Sequence, residues 1–250
     1  MTKAGRGKGN SGADWGGRLS GLAVALGLLL FLGGFGWAAV SYRPYTVPTS
    51  SMTPTIDTGD RVLAQKVDGG EVKRGDVVVF EDKSWVTGAK VVKRVVAVGG
   101  DTVSCCTDGK LTVNGKQIDE PYLPKGSLAE NKKIPTVTVP EGRLFLLGDE
   151  RQGSLDSSAH LTDAAKGTVS RDAVTARVDA VVWPWKGPLK RPTGFEALGT
   201  LSQPGPLPTI ELLIAAGAVL VLAGGAYGPI AKRMGRSRAG SARPEAAGVR

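Results

Sequence analysis

The chain has 250 residues, a single histidine and a formal net charge of +9. This length suffices for one or two domains. A charge of this size would suit a nucleic-acid-binding protein if it were spread over a folded domain. However, residues 1–20 hold four basic and one acidic side chain, and residues 231–250 hold six and one, which leaves only +1 in between. The charge distribution therefore excludes a nucleic-acid-binding function.

The N-terminal part of the chain predicts a tail followed by a membrane span. Residues 1–18 are rich in Gly and basic side chains and are predicted to be disordered. Residues 19–42 contain no charged side chain and have about the length at which a helix crosses a bilayer. A cleaved signal peptide is the alternative, but its apolar part is usually shorter and ends at an Ala-x-Ala site. We therefore predict a transmembrane helix over residues 19–42.

The next stretch, "VPTSSMTPTI" (residues 47–56), follows the span closely and is rich in hydroxyl groups. Its place in the sequence predicts a position near the membrane surface. A serine there is a potential nucleophile if a base lies beside it. The alternative interpretation is a polar loop that leaves the membrane and has no chemical role.

Residues 43–200 predict a mainly β domain. Short runs rich in Val and Leu alternate with Gly, Asp, Asn and Pro turns, and no long amphipathic helix interrupts them. The clearest runs are "DRVLAQKV", "GDVVVF", "KVVKRVVAV", "KLTVNG", "PTVTV", "RLFLLGD" and "ARVDAVVWPW". This pattern favours a mixed β-sheet of sandwich or barrel-like form.

Two residues are candidate bases for a serine nucleophile, His160 and Lys93. His160, the only histidine, lies in the polar segment "LDSSAHLTDAAKG" and is predicted to be on the surface. Lys93 lies in "KVVKRVVAV", where strand periodicity puts it on one face with Val91 and Val95. Desolvation on an apolar face is what lets a lysine act as a base, and the neighbouring Arg94 does not lose its proton in a protein. Lys93 is thus the better candidate, although an edge-strand lysine that prevents aggregation fits the same pattern.

The only two cysteines, Cys105 and Cys106, are adjacent. Neighbouring Cα atoms are about 3.8 Å apart across a trans peptide, which is below the usual disulfide range. A strained bridge, free thiols and bridges to another chain all remain open. The chain has no Cys-x-x-Cys or His-Glu-x-x-His pattern, so we predict no metal site and no cofactor.

The C-terminal part predicts a second span. Residues 201–211 are predicted to form a Pro-rich linker, and residues 212–230 are uncharged and apolar. Residues 231–250 form a basic tail that is also predicted to be disordered. Basic flanks stay on the cytoplasmic side of a membrane. Both tails are therefore predicted to be cytoplasmic, and the β domain is predicted to lie outside the cell membrane.

Four segments, in order along the chain, resemble the conserved boxes of the bacterial type I signal peptidases, membrane Ser-Lys proteases that remove signal peptides. They are "VPTSSMTPTIDTGD", "KRGDVVVF", "KVVKRVVAVGGD" and "LLGDERQGSLDSS". The second span makes the chain similar to an actinobacterial form of this family. The resemblance implies a signal-peptidase-like β fold flanked by two transmembrane helices, with a small cap at about residues 102–143.

The resemblance also implies roles for individual residues. Ser51 corresponds to the nucleophile and Lys93 to the general base. Thr49 stands where many members have a serine that donates to the oxyanion, and a threonine hydroxyl can make the same bond. Ser154 and Asp156 correspond to residues that support the lysine and the local structure. The last box departs from the family pattern at Glu150, Gln152, Gly153 and Ser158.

The implied substrates are exported preproteins at the lipid bilayer, cut after small residues as in Ala-x-Ala. We expect an extended peptide to add as a strand, with substrate-binding residues Val47, Pro48, Met52, Ile56, Val91 and Val92. For each of these, ordinary core packing is the competing interpretation. A pilin-type processing Ser-Lys protease and a non-enzymatic membrane-anchored binding module remain the alternative functions.

Overall fold

The computed structural model of the chain describes residues 11–107, 109–124, 126–127 and 133–240. These divide into a pair of terminal helices and a β-rich unit, Ser41–Gly205. Residues 1–10 and 241–250 lie outside the described residues, so the disorder predicted for these parts of the tails stays a prediction.

The two terminal helices are α1, Ser11–Ser41, and α2, Leu207–Gly240. Within them, Trp15–Ser41 and Leu207–Tyr227 are each long and apolar enough to cross a membrane. The helices begin earlier and end later than the sequence predicted. Residues 11–18 and 231–240, predicted as disordered tail, are helical, because extending an existing helix costs far less than nucleating one.

The predicted linker is also shorter than expected. Helix α2 starts inside residues 201–211, with Pro208 in its first turn. A proline is tolerated there because the first helical N–H groups have no partner within the helix. The linker thus ends at residue 206.

The two helices pack against each other through small residues. A Cβ on Gly217 would lie 2.7 Å from the carbonyl oxygen of Gly27 and 2.6 Å from the amide nitrogen of Phe31, so only glycine permits this approach. The Ser20 hydroxyl donates to the carbonyl oxygen of Gly224 at 2.7 Å. Close backbone approach of this kind is how helices associate where no hydrophobic effect drives them together.

The β-rich unit forms from short strands, as predicted. In the described part of the chain these are β1 Tyr42–Thr46, β2 Arg61–Gln65, β3 Val77–Phe80, β4 Val91–Val98, β5 Thr102–Thr107, β6 Lys110–Val113, β7 Lys116–Gln117, β8 Ile134–Thr138, β9 Arg143–Leu147, β10 Thr168–Ser170, β11 Val174–Trp183 and β12 Trp185–Pro188. The larger sheet has the order β1-β2-β11-β3-β4-β9-β10, with β12 paired to β11. Every one of these pairings is antiparallel. The prediction of a mainly β fold between two apolar helices is confirmed.

Strands β3 and β4 are covered on both faces. Val77 and Val79 pack in one apolar cluster and Val78 and Phe80 in another, so all of β3 is buried. An uninterrupted apolar run is the pattern expected of a strand with two covered faces. Because β4 lies beside it, with Lys93 opposite Val78 and Arg94 opposite Val77, both cations of β4 are buried as well.

The smaller sheet occupies the segment in which the cap was predicted. Its order is β7-β6-β5-β8, and its core includes Val103, Leu111 and Val137. The structure pairs Cys105 with Cys106 in a vicinal disulfide on β5. Of the three states considered for these cysteines, the internal bridge is the one present.

Both ends of the β-rich unit meet at one buried carboxylate, Asp179. The hydroxyl of Tyr42, at the start of the unit, donates to Asp179 at 3.0 Å. At the other end, a Cβ on Gly205 would lie 2.6 Å from the same hydroxyl and closer still to Asp179. Arg191 closes the cluster with a 2.6 Å hydrogen bond to Asp179. The two ends of the unit are therefore held at the same place.

A second polar cluster surrounds Asp101, at the turn between β4 and β5. Arg74 donates to it through Nε at 2.7 Å and through Nη2 at 2.5 Å, and the Val98 N–H and the Asn114 amide add further hydrogen bonds. Burial alone would raise the pKa of Asp101, but these donors hold the pKa below its ordinary value.

This cluster predicts how stability responds to acid. A lowered folded-state pKa means that Asp101 stabilises the fold at pH values above its unfolded pKa of about 3.9, and that this contribution is lost as the pH falls through the folded pKa. We expect Asp101→Asn to be less stable than wild type at pH 7, with the difference shrinking toward pH 3. The free energy of unfolding of both proteins is measured by chemical unfolding of the full chain in detergent at several pH values between 7 and 3. Asp119→Asn, which removes an exposed carboxylate, is the control; parallel curves for wild type and Asp101→Asn would contradict the prediction.

Candidate active site

The segment that carries Ser51 is held rigidly between β1 and β2. Val47 donates its N–H to the carbonyl oxygen of Asp60 at 2.9 Å and accepts from the Gly59 N–H at 2.8 Å. Met52 and Ile56 are completely buried in the apolar cluster beneath the segment. These anchors leave Ser51 half-buried at a fixed position.

Lys93 meets Ser51 directly. Its Nζ lies 2.7 Å from Oγ of Ser51, although the two residues are 42 positions apart in sequence. Lys93 is only 3% exposed, and its cross-strand neighbour Val78 is fully buried. Burial in apolar surroundings disfavours the charged form of an amine. The arrangement therefore presents a hydroxyl to a desolvated amine at hydrogen-bonding distance.

Thr49 lies on the open side of Ser51. Its Oγ1 is 3.3 Å from Oγ of Ser51, and both Thr49 and Pro48 are exposed. A hydroxyl here can donate to an atom bound at Ser51. The placement fits the oxyanion role suggested for Thr49, which stays a prediction.

The segment after β9 contacts the backbone of Ser51. The Glu150 N–H donates to the carbonyl oxygen of Ser51 at 3.1 Å. Asp156, which is fully buried, accepts from the Gly148 N–H at 3.0 Å and from the N–H and hydroxyl of Ser158. Asp156 thus shapes the turn that carries Gly148, in keeping with the support role suggested for it.

Ser154 is buried beside Gly148. Among the described residues, its Oγ makes no hydrogen bond. Its proposed role in orienting Lys93 stays a prediction.

The divergent residues of this segment have identifiable contacts. The Glu150 carboxylate accepts from the N–H groups of Gln152, at 3.2 Å, and Gly153, at 3.1 Å. Glu150 therefore caps the turn with its own side chain. Ser158 donates to Asp156. The departures from the family pattern are compatible with an ordered turn next to Ser51.

Sequence reasoning missed the partner of Arg94. Its guanidinium is 2% exposed and binds Asp149 through Nε at 2.8 Å and Nη2 at 2.6 Å, while Thr55 donates to the same carboxylate. Burial alone would lower the pKa of Arg94, but the adjacent Asp149 carboxylate raises it above its ordinary value. The pair leaves the cation next to Lys93 neutralised. Strand alternation predicts only that Arg94 lies on the opposite face of the strand from Lys93. No local pattern in the sequence identifies Asp149 as its partner.

The six residues predicted to bind substrate differ in how deeply they are buried. Val47, Met52 and Ile56 are buried in the core, whereas Val91 and Val92 are half-buried and Pro48 is exposed. None of these six is contradicted as a substrate-binding residue, and each stays a prediction.

His160 has other contacts. Its ring stacks on Trp85 with centroids 4.5 Å apart, and its Nδ1 lies 2.8 Å from Asp163. The part of the chain that the structure describes contains no group of three His, Cys, Asp or Glu side chains arranged to hold a metal.

The known proteins that are similar to this chain belong to one family. The family described as "Signal peptidase, peptidase S26" matches residues 19–183. Signal peptidase I of Mycobacterium tuberculosis (strain H37Rv) is 36% identical over 191 residues, covering 57% of this chain and 65% of the relative. Signal peptidase I T of Bacillus subtilis (strain 168) is 32% identical over 194 residues, covering 73% of this chain and 91% of the relative.

A solved signal peptidase I from Enterococcus faecalis V583 is also similar, with 28% sequence identity and a TM-score of 0.34, covering 47% of this chain and 96% of that one. The chain spans 65% of the length of the mycobacterial relative. The family match extends from the first apolar helix to the end of β11 and includes Ser51, Lys93 and the segment after β9. The chain therefore belongs to the signal peptidase family, peptidase S26.

Proposed function

We propose that this chain is a type I signal peptidase, a membrane-anchored serine endopeptidase that removes signal peptides from exported preproteins. The observation that carries the proposal is the 2.7 Å contact between Nζ of Lys93 and Oγ of Ser51. In a chain of this family, that contact supplies a nucleophile and a base in one place. No metal or cofactor is needed for this chemistry.

The proposed reaction begins with neutral Lys93. Its Nζ takes the proton of the Ser51 hydroxyl as Oγ attacks the scissile carbonyl carbon. The tetrahedral intermediate collapses, the C–N bond breaks, and the ammonium of Lys93 gives its proton to the leaving amine. An acyl-enzyme on Ser51 remains. Lys93, neutral again, then takes a proton from water as the water oxygen attacks the ester carbonyl carbon. The bond between that carbon and Oγ of Ser51 breaks, Lys93 returns the proton to Oγ, and the signal peptide leaves with a new C-terminal carboxyl group.

The developing oxyanion needs hydrogen-bond donors. The Ser51 N–H and the Thr49 hydroxyl are the proposed pair, since Oγ1 of Thr49 lies 3.3 Å from Oγ of Ser51. Loss of one such donor costs roughly 3 kcal/mol of transition-state stabilisation in related chemistry.

Substrate binding by strand addition is supported by the pairing of β4. Its ladder with β3 runs from Val91 to Arg94, whereas its ladder with β9 runs from Arg94 to Val98. Val91 and Val92 therefore lie outside the β9 ladder, and we place the extended peptide along their second edge. A peptide placed there would pass Lys93 and Ser51.

The proposed location is the cell membrane, with two spans. Trp15–Ser41 and Leu207–Tyr227 are the proposed spans, and the basic residues outside them support a cytoplasmic position for both termini under the positive-inside rule. The β-rich unit would then face the outside of the membrane, where signal peptides emerge.

The proposal is tested by cleavage of a purified preprotein with Ala at positions −3 and −1. The full chain in lipid vesicles should cut directly after the −1 Ala, and Ser51→Ala serves as the blank. Replacing the −1 Ala of the substrate by Trp should slow cleavage by roughly 100-fold or more, because a small pocket excludes the ring. Mass spectrometry of the products locates the cut. Cleavage confined to a pilin-type leader would point to the specialised protease instead, and no cleavage of either substrate would favour a binding module.

A further inference from the structure

The loop that follows β7 reaches the active-site segment through a buried ion pair. Glu120 and Arg151 are joined by two hydrogen bonds, Nη1 to Oε2 at 2.7 Å and Nη2 to Oε1 at 2.6 Å. Their side chains are 4% and 0% exposed, respectively. A two-point pair that is shielded from water fixes both partners in position. We refer to residues 118–124, which contain Glu120, as the cap loop.

Arg151 carries this contact to Ser51. Its Nε donates to the carbonyl oxygen of Gly148 at 3.0 Å, so the guanidinium spans Glu120 and the backbone of the active-site turn. Two residues later in that turn, the Glu150 N–H donates to the carbonyl oxygen of Ser51 at 3.1 Å. The path from the cap loop to the nucleophile is therefore Glu120, Arg151, the 148–150 turn and Ser51.

A second contact from the same loop reaches the neighbour of Lys93. The guanidinium of Arg94 lies over the ring of Tyr122, 4.0 Å from its centroid, while its edge binds Asp149. The Tyr122 hydroxyl donates to Glu120. Burial raises the pKa of this phenol well above its ordinary value, so it remains a neutral donor. The cap loop thus contacts the chain beside both Ser51 and Lys93.

The charge of Glu120 is needed for this arrangement to persist. Without its carboxylate, Arg151 would be left as a buried cation without a countercharge on that side, which is strongly unfavourable. The guanidinium would then move toward water or another acceptor and release the carbonyl oxygen of Gly148. Ser51, whose carbonyl oxygen accepts from the Glu150 N–H of that turn, would lose a fixed position relative to Lys93.

We infer that Glu120, acting through Arg151, and Tyr122, acting through Arg94, are positioning residues that hold Ser51 and Lys93 in reactive alignment. This inference rests on the proposed function, because it assigns the cap loop a part in that same reaction. Neither residue lies in the segments that resemble the family boxes, so sequence comparison at those boxes does not identify them. A cap that serves only to cover the core would not require this buried link.

The test is Glu120→Gln in the full chain in lipid vesicles, because glutamine keeps the shape and removes the charge. We expect kcat to fall by roughly 10- to 100-fold, as for an active-site displacement of up to 1 Å, while KM changes less than about twofold, because the proposed peptide edge at Val91 and Val92 is untouched. Asp119→Asn is the matched control. It removes the adjacent carboxylate, which is 78% exposed and pairs only at the surface with Lys110, and it should leave kcat unchanged.

A second readout does not depend on cleavage. Hydrogen exchange of the backbone amides in residues 148–154 should accelerate in Glu120→Gln and stay at the wild-type rate in Asp119→Asn. A thermal midpoint that falls while kcat and these exchange rates match wild type would overturn the inference and leave Glu120 with a merely structural role.

If Glu120→Gln does not fold, Arg151→Lys replaces it, since lysine keeps the charge but loses the two-point geometry. The same fall in kcat and the same faster exchange are expected, and wild-type values for both would overturn the inference. If wild type itself cuts no preprotein, the proposed function fails, and the exchange measurement still decides whether the cap loop holds the 148–150 turn.

Discussion

Lys93→Met is expected to lower kcat/KM for preprotein cleavage by roughly 10,000-fold, the upper end of what a positioned general base contributes. Methionine has a similar length and no charge, so it suits the buried position of Lys93 and should leave the fold intact. What it removes is the amine 2.7 Å from Oγ of Ser51. Initial rates at several substrate concentrations, together with the thermal midpoint of each variant, give the measurement.

Combining Lys93→Met with Ser51→Ala tests whether the two residues act in the same step. If the two residues act as a unit, the double variant should be no slower than either single variant. Lys110→Met, at a side chain that is 48% exposed, is the control for loss of a lysine and should cut at the wild-type rate. A Lys93→Met enzyme within tenfold of wild type would refute the base assignment and direct attention to His160.

Gly148→Ala is expected to reduce kcat by roughly 100-fold or more, because reacting groups displaced by about 1 Å lose that much rate. A Cβ at this position would lie 2.5 Å from Cβ of Ser154 and closer still to Oγ of Ser154 and the carbonyl oxygen of Ser51. Ser154 is buried and the other contact is a backbone oxygen, so neither can turn aside and the 148–150 turn must move. The shift would be transmitted directly to the nucleophile. Single-turnover cleavage separates this loss from any change in substrate binding.

Gly153→Ala provides the matched control in the same turn. There the added Cβ meets Cγ of Glu150 at 3.5 Å, an ordinary contact. We expect this variant to retain activity within about twofold, since nothing has to move. Equal activity of the two alanine variants would show that the turn tolerates displacement, contrary to the geometry described for Gly148.

Much of the site follows from local patterns in the sequence. Alternation along β4 placed Lys93 among valines, and a serine after a membrane span suggested a nucleophile close to the bilayer. The contact between them was inferred from the family resemblance, and the structure brings the two side chains together. The mainly β class follows in the same way from short Val-rich runs with turns between them.

The polar partners could not be predicted, because no local pattern marks them. Arg94 and Asp149 are separated by 55 positions and Arg151 and Glu120 by 31. A charged residue that is buried by a distant partner looks, in the sequence, like one that is exposed to water. The position of β11 between β2 and β3 is likewise set by non-local pairing.

Trp183 ends the Val-rich strand β11, yet its side chain is 68% exposed. The pairing of β11 with β2 shifts register between Val181 and Trp183. Such an irregularity interrupts the alternation of faces along a strand, so the sequence pattern does not determine the face on which Trp183 lies.

The meeting of Tyr42 and Gly205 at Asp179 has a consequence for how such a domain can be joined to other segments. A domain whose first and last residues are neighbours needs no particular spacing between the segments that precede and follow it. It can be carried on one helix or inserted between two without rearrangement of its interior. The β-rich unit is in this respect modular, because either arrangement leaves the contact between Ser51 and Lys93 inside the unit.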